Sequence, residues 1–164
     1  MVVYPSDEAD APNECCAIYR ENVKNIIFCA SHIENTLAGG ITKYFFGDDS
    51  AKRIVMDQMI VSTDFFSFSA KRKAFLAIIK EQGIITGKTF AALEHLLSKV
   101  VKYRNMFTHG IAVYRGTNCI LNYYESTNRE KVIDDAFLDQ VENDMNHCFK
   151  DTEELVQQIK VLDA

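Results

Sequence analysis

The sequence predicts a mainly α-helical fold: an up-and-down bundle of four to five helices with one short β-hairpin. Two observations support this prediction. Apolar residues recur at three- and four-residue steps over long segments, which is the period of one helix face. Alternating β-branched and aromatic residues, which are typical of strands, are confined to one stretch after Gly110. The strands are therefore expected as a small addition to the helices.

The chain has 164 residues, which suits one domain with a single core. Residues 1–13 contain both prolines and several acids without periodicity, so we expect a flexible acidic lead-in followed by a single domain over residues 14–164. No apolar run reaches the ~20 residues needed to span a bilayer, and the acidic start does not resemble a secretory leader. We therefore expect a cytoplasmic protein without membrane contact.

The first long helix is predicted from residue 26 onwards. Gly39 and Gly40 lie inside it, and because an interior glycine costs up to ~1 kcal/mol, the pair predicts a kink or a close helix contact. Residues 47–50 (Gly-Asp-Asp-Ser) predict its end and the cap of the next helix. The apolar face of the first helix consists of Ile26, Ala30, Ile33, Leu37, Ile41 and Tyr44.

Two helices follow, over residues 51–61 and from a cap at Ser67 or Ser69 to a terminal glycine at Gly83. The next helix, over residues 86–110, is called the motif helix, and Thr86 or Thr89 is its predicted cap. Its apolar stripe consists of Phe90, Leu93, Leu97, Val100 and Phe107.

The hairpin is predicted over residues 111–115 and 119–124, with a turn between them. Asp134 or Asp135 then caps a last helix, whose three-four repeat requires a bundle or a partner chain. That repeat consists of Leu138, Val141, Met145, Cys148, Leu155, Ile159 and Leu162.

A candidate site lies near the end of the motif helix. Arg104 falls on the apolar stripe, where a buried charge costs several kcal/mol unless an opposite charge pairs with it. Asn105 and His109 share one helix face, whereas Arg104 lies about 140° from His109 around the axis. The three side chains converge if Gly110 ends the helix and frees the imidazole, or if two copies of the helix meet in a symmetric dimer.

Residues 102–110 read Lys-Tyr-Arg-Asn-Met-Phe-Thr-His-Gly, and this stretch resembles the motif of HEPN domains: arginine, a polar residue, three further residues and histidine. The order of elements around it, with Ile33, Glu34 and Leu37 in the first helix, resembles the same family over residues 15 to 162. The resemblance implies a HEPN-like bundle that acts as a homodimer. It also implies a metal-independent endoribonuclease that leaves a 2′,3′-cyclic phosphate and a 5′-hydroxyl.

The resemblance assigns the catalytic roles to Arg104, Asn105 and His109, with no cofactor and no metal. It implies single-stranded or loop RNA as the substrate, in a toxin-antitoxin or antiviral defence setting with an antitoxin or defence protein as partner. Substrate-binding cations are expected at Lys99, Lys102 and Arg115. In the subset of the family that is paired with a nucleotidyltransferase antitoxin, a tyrosine stands two residues after the motif histidine. This chain has Ile111 at that position, so the control by modification that the subset uses is not expected.

Other readings remain open. Arg104 is satisfied by an acid such as Glu34 in the simplest structural reading, and His109 is then an ordinary C-terminal helix residue. The net charge of -5 gives no broad surface for nucleic acid and favours a non-catalytic helical module that binds protein or RNA, as in many HEPN relatives.

The five cysteines have no C-x-x-C pair and are expected as reduced, mostly buried thiols. His32, His95 and His147 lack metal-like spacing and are expected at the surface or at an interface.

Overall fold

The computed structural model describes residues 11–47, 49–61, 63, 66–115 and 118–162. Five α-helices and a three-stranded antiparallel sheet occur in this part of the chain, so the fold is mainly helical, as predicted. The described residues fall into two compact units. We call those up to Ala30 together with Lys102–Met145 the sheet unit, and those of Ser31–Val101 together with the chain from Asn146 onwards the helical unit. The single domain over residues 14–164 stays a prediction.

Helix α1 spans Ala11–Phe46. It begins within the predicted lead-in of residues 1–13, of which residues 1–10 lie outside the described part of the chain. All six predicted apolar positions of this helix are buried. At Gly40 a Cβ would lie 2.9 Å from Phe75 Cε2 and 3.0 Å from Val156 Cγ2, which confirms a close helix contact.

Three short helical segments of the helical unit follow α1. Helix α2 spans Ser50–Met56 and continues into a π-helical turn over Asp57–Val61, and helix α3 spans Phe68–Glu81. The Asp49 carboxylate accepts a hydrogen bond from the Lys52 amide at 3.1 Å, and the Ser67 hydroxyl accepts one from the Ala70 amide at 3.3 Å. Both side chains satisfy amides that the first helical turn leaves unpaired. Of the two predicted caps for α3, the structure therefore uses Ser67.

Helix α3 ends at the predicted glycine. Gly83 has a φ of 61°, in the left-handed region that side chains with a Cβ rarely adopt. Its amide donates to the Lys80 carbonyl and the Ile84 amide donates to the Ile79 carbonyl. These two bonds form a Schellman motif, which pairs carbonyls that the end of a helix leaves open.

The helical unit contains a buried ion pair. Lys71 is 6% exposed, and its Nζ lies 2.5 Å from Oε1 of Glu34. Large apolar side chains of the same unit are fully buried, among them Phe75, Ile79 and Leu97. Within the helical unit, Glu34 is thus the ion-pair partner of Lys71.

Helix α4 spans Gly87–His109, and the strands follow it directly. Strands β1 (Ile111–Arg115) and β2 (Asn118–Glu125) pair antiparallel, which confirms the predicted hairpin. Strand β3 (Thr127–Ile133) pairs with β2 and was not predicted. Its centre is a run of polar residues, exposed on both faces, so the alternation that marks a half-buried strand is missing.

Helix α5 spans Asp135–Gln158. The Asp134 carboxylate accepts from the Phe137 amide at 2.8 Å, so Asp134 is the cap. Most predicted apolar positions of the repeat are buried, but Leu162 is 46% exposed. Thr152 is fully buried although it is polar, because its hydroxyl donates to the Cys148 carbonyl at 2.8 Å one turn earlier.

Two further expectations concern thiols and membranes. Cys119 and Cys148 are buried and Cys29 is half-buried, and none of the three forms a disulfide. The side chains of Cys15 and Cys16 lie outside the described residues. In the described part of the chain, no helix combines the length and the apolar character that crossing a membrane requires.

Candidate functional site at the end of helix α4

His109 is the last residue of helix α4, and Gly110 turns the chain into β1. The Gly110 amide still donates to the Met106 carbonyl at 2.9 Å. A Cβ at Gly110 would lie 2.4 Å from that carbonyl oxygen and 2.8 Å from Leu121 Cδ1. Only glycine fits this close approach of helix and strand, and it fixes where the imidazole leaves the helix.

Arg104 does not lie at the centre of the apolar stripe, so that expectation was wrong. The buried face of this part of α4 passes through Tyr103, Met106 and Phe107, whereas Arg104 is half-exposed at its edge. With about 3.6 residues per turn, a side chain next to the buried face can reach solvent. Arg104 therefore needs no buried counter-charge.

The guanidinium of Arg104 is hydrogen-bonded to its neighbour. Nη1 of Arg104 donates to Oδ1 of Asn105 at 3.2 Å. Asn105 and His109 are both exposed and lie one turn apart on α4. The structure thus joins two of the three predicted catalytic residues directly. The third, His109, lies on the face that Asn105 shares, and it makes no side-chain hydrogen bond or ion pair with another described residue.

The predicted substrate-binding cations are occupied. Nζ of Lys102 lies 2.8 Å from Oε2 of Glu125. Arg115 forms two bonds to the Glu130 carboxylate, at 2.8 and 3.2 Å. Lys99 is half-buried, engaged in an interaction of its own, and belongs to the helical unit rather than to the unit of the candidate site. None of the three is brought together with Arg104 as an open cation.

Arg115 also lies on the face of the sheet opposite to the residue that contacts the end of α4. Residues paired across β1 and β2 share a face, so Arg115, with its partner Asn118, lies on the face opposite to Leu121. Leu121 is the residue that approaches Gly110 at the end of α4. A role for Arg115 beside His109 is therefore not supported by its position.

Aromatic residues that the sequence did not single out hold this end of α4 in place. The Tyr103 ring meets the Phe137 ring edge-on with centroids 6.0 Å apart, and Phe107 stacks with Phe137 at 6.3 Å. The Tyr103 hydroxyl donates to Oδ2 of Asp144 at 2.8 Å. Burial, and then this bond to a carboxylate, raise the pKa of Tyr103 above the usual range of tyrosine. Tyr103 and Phe107, which lie before and after Arg104 on the buried face of α4, are thus held against α5.

The described residues contain no group of three or more histidine, cysteine, aspartate or glutamate side chains placed to hold a metal ion. His147 pairs with Asp151 at 3.3 Å on the surface of α5, and His32 meets the Phe149 ring edge-on. The site at the end of α4 offers an imidazole, a guanidinium and an amide. These groups can transfer a proton, stabilise a negative charge and orient one another.

Comparisons of the chain with protein-family models, with curated proteins and with solved structures find no match.

Proposed function

We propose that the protein is a HEPN-type, metal-independent endoribonuclease whose site consists of Arg104, Asn105 and His109. The observation that carries the proposal is the hydrogen bond from Arg104 to Asn105, one turn before an exposed His109 at the end of its helix. The resemblance of residues 102–110 to the HEPN motif supports it. The substrate is single-stranded or loop RNA, whose ribose supplies the nucleophile.

In the proposed reaction the ribose 2′-oxygen attacks the adjacent phosphorus, and the bond from phosphorus to the 5′-oxygen breaks. His109 removes the 2′-hydroxyl proton or delivers a proton to the departing 5′-oxygen. Arg104 stabilises the negative charge that develops on the phosphate oxygens, and Asn105 holds the guanidinium in position. The products are a 2′,3′-cyclic phosphate and a 5′-hydroxyl.

A homodimer completes the proposed site. The Cα–Cβ bonds of Arg104 and His109 leave one straight helix about 140° apart, and the Arg104 guanidinium turns back only as far as Asn105, so one phosphate is not easily reached by both side chains of one chain. Two copies related by a two-fold axis can set the imidazole of one chain against the guanidinium of the other. A toxin-antitoxin or antiviral setting, with an antitoxin or defence protein as partner, belongs to the same proposal.

The test is an RNA cleavage assay in EDTA. The wild-type protein and a His109→Ala variant are incubated with a mixed-sequence single-stranded RNA, and His95→Ala serves as the control because His95 is another exposed histidine of α4. We expect cleavage to fall at least 100-fold for His109→Ala and to persist for His95→Ala. Cleavage by neither protein, or equal cleavage by the wild type and His109→Ala, rejects catalysis at this site.

A second candidate function is a non-catalytic HEPN module that binds protein or RNA. The ion pairs of Lys102 with Glu125 and of Arg115 with Glu130 favour it, because they neutralise cations that a nuclease would turn towards phosphate. In this case Arg104→Ala alters the melting temperature or the sedimentation of the protein, while RNA remains intact with every variant.

A further inference from the structure

Strand β2 runs alongside the last two turns of helix α4. Two contacts fix this arrangement: Lys102 pairs with Glu125, and Gly110 lies against the Leu121 side chain. Lys102 and Gly110 are about 12 Å apart along the helix, and Leu121 and Glu125 are about 13 Å apart along the strand. The lengths match, so the end of β2 runs antiparallel to the end of α4.

Tyr123 stands midway between these two contacts. Because side chains alternate along a strand, Tyr123 lies on the same sheet face as Leu121 and Glu125 and so faces the helix. It lies at the level of Met106, which is 3% exposed. His109 follows Lys102 by seven residues, which places it within about 20° of Lys102 around the helix axis. The half-exposed ring of Tyr123 thus borders the stripe that ends at His109.

Arg129 is the cross-strand partner of Tyr123 on β3 and shares its face of the sheet. It is exposed, and its guanidinium makes no hydrogen bond or ion pair with another described residue. Three other cations of the sheet unit differ in this respect: Lys102 and Arg115 are paired with glutamates, and Lys131 lies 4.4 Å from the centroid of the Phe137 ring. Arg129 is thus an open cation beside the Tyr123 ring, on the sheet face that carries Leu121 and Glu125.

We infer that Tyr123 and Arg129 form a nucleotide subsite flanking His109, where the Tyr123 ring stacks on a base of single-stranded RNA and Arg129 binds a phosphate oxygen of the same strand. The inference rests on the proposed function, which it extends from the cleaved bond to the neighbouring nucleotide. Stacking on an aromatic ring accepts every base, and guanidinium groups bind phosphate oxygens through paired donors. The subsite therefore selects for unpaired RNA rather than for a sequence.

The test measures binding of an RNA that cannot be cut, a fluorescently labelled single-stranded 2′-O-methyl oligonucleotide, by fluorescence anisotropy. Tyr123→Ala is compared with Tyr124→Ala, since Tyr124 is 76% exposed on the opposite face of β2. Arg129→Ala is compared with Arg53→Ala, which removes the same charge from α2. We expect each subsite variant to weaken binding about tenfold and each control to stay within about twofold of the wild type.

A binding loss that is equal for Tyr123→Ala and Tyr124→Ala, or equal for the two arginine variants, overturns the subsite. No binding of the oligonucleotide by the wild-type protein overturns it as well. Because the probe lacks a free 2′-hydroxyl, the measurement does not depend on catalysis. Selective binding losses without RNA cleavage by the wild type would reject the nuclease and leave the subsite standing.

Discussion

Arg104 and Asn105, neighbours in the sequence, are joined by a hydrogen bond of 3.2 Å from Nη1 to Oδ1. Successive side chains of a helix point about 100° apart, so the long arginine side chain must bend along the helix surface to make this bond. The bond directs the guanidinium towards the face on which Asn105 and His109 lie. Asn105 therefore acts on the proposed reaction through Arg104.

The first prediction is that Asn105→Ala lowers RNA cleavage about tenfold. A hydrogen bond to a charged group contributes about 1.5 kcal/mol, and its loss frees Arg104 to turn away from the phosphate. The measurement is kcat/KM on a single-stranded RNA, with melting temperature as a check of folding. Thr108→Ala, a neighbouring exposed position, is the control. Full activity of Asn105→Ala would contradict the role given to this residue.

The second prediction concerns the glycine that ends α4. In Gly110→Ala the new Cβ lies 2.4 Å from the Met106 carbonyl oxygen and 2.8 Å from Leu121 Cδ1, so the end of α4 must shift and move away from β2. We expect the free energy of unfolding to fall by about 1 to 3 kcal/mol, together with any activity of His109. Gly39→Ala is the control, because a Cβ there meets nothing within 4 Å and helix propensity favours alanine by about 0.5 to 1 kcal/mol. Urea denaturation measures both, and a stabilised Gly110→Ala variant would disprove the close approach.

The sequence was sufficient for the elements whose burial follows a regular period. The apolar face of α1 and the first hairpin follow from spacing and local chemistry. The same signals narrowed the caps of α3 and α5 to two candidates each, of which the structure uses Ser67 and Asp134. Strand β3 was missed because neither of its faces is buried, so it has no alternation to detect. Its position depends on pairing with β2, which is a tertiary contact.

The candidate site was only partly predictable for the same reason. The motif itself is local, and so is the helix end at Gly110. The partners of Lys102 and Arg115 come from β2 and β3, and Arg129 gains its place beside Tyr123 only when β3 pairs with β2. The sequence analysis placed Arg104 on the apolar stripe, whereas it lies at the edge of the buried face. Residue spacing alone does not distinguish a charged residue beside a buried face from one within that face.

The third prediction concerns alkaline pH. Burial and the bond to Asp144 raise the pKa of Tyr103 in the folded state. Below the ordinary tyrosine pKa of about 10 the side chain is neutral in both states, and its contribution to stability is fully present. As the pH rises further, the unfolded chain loses this proton first, so the stability of the fold decreases.

We therefore expect Tyr103→Phe to be less stable at pH 7 by about 1 kcal/mol, because it lacks the bond to Asp144. Its stability should also fall less steeply than that of the wild type above pH 10, since it has no proton to lose there. Urea denaturation at pH 7, 10 and 11 measures both effects. Tyr124→Phe, at an exposed position, should keep the wild-type slope. Parallel curves for Tyr103→Phe and the wild type would refute this assignment.

The fourth prediction concerns the ion pair of Lys71 and Glu34. The Lys71 side chain is 8% exposed and the Glu34 side chain 19%, so the ammonium depends on its partner more than the carboxylate does. Glu34→Ala leaves a buried charge unpaired and should cost about 3 to 5 kcal/mol. Lys71→Met should cost less, because Glu34 can still reach water.

The double variant Lys71→Met with Glu34→Leu should regain most of the loss, since a well-packed apolar pair often replaces a buried ion pair without cost. Denaturation of the wild type and the three variants gives the coupling energy, and a double variant no more stable than Glu34→Ala would show that the pair is needed for more than mutual neutralisation.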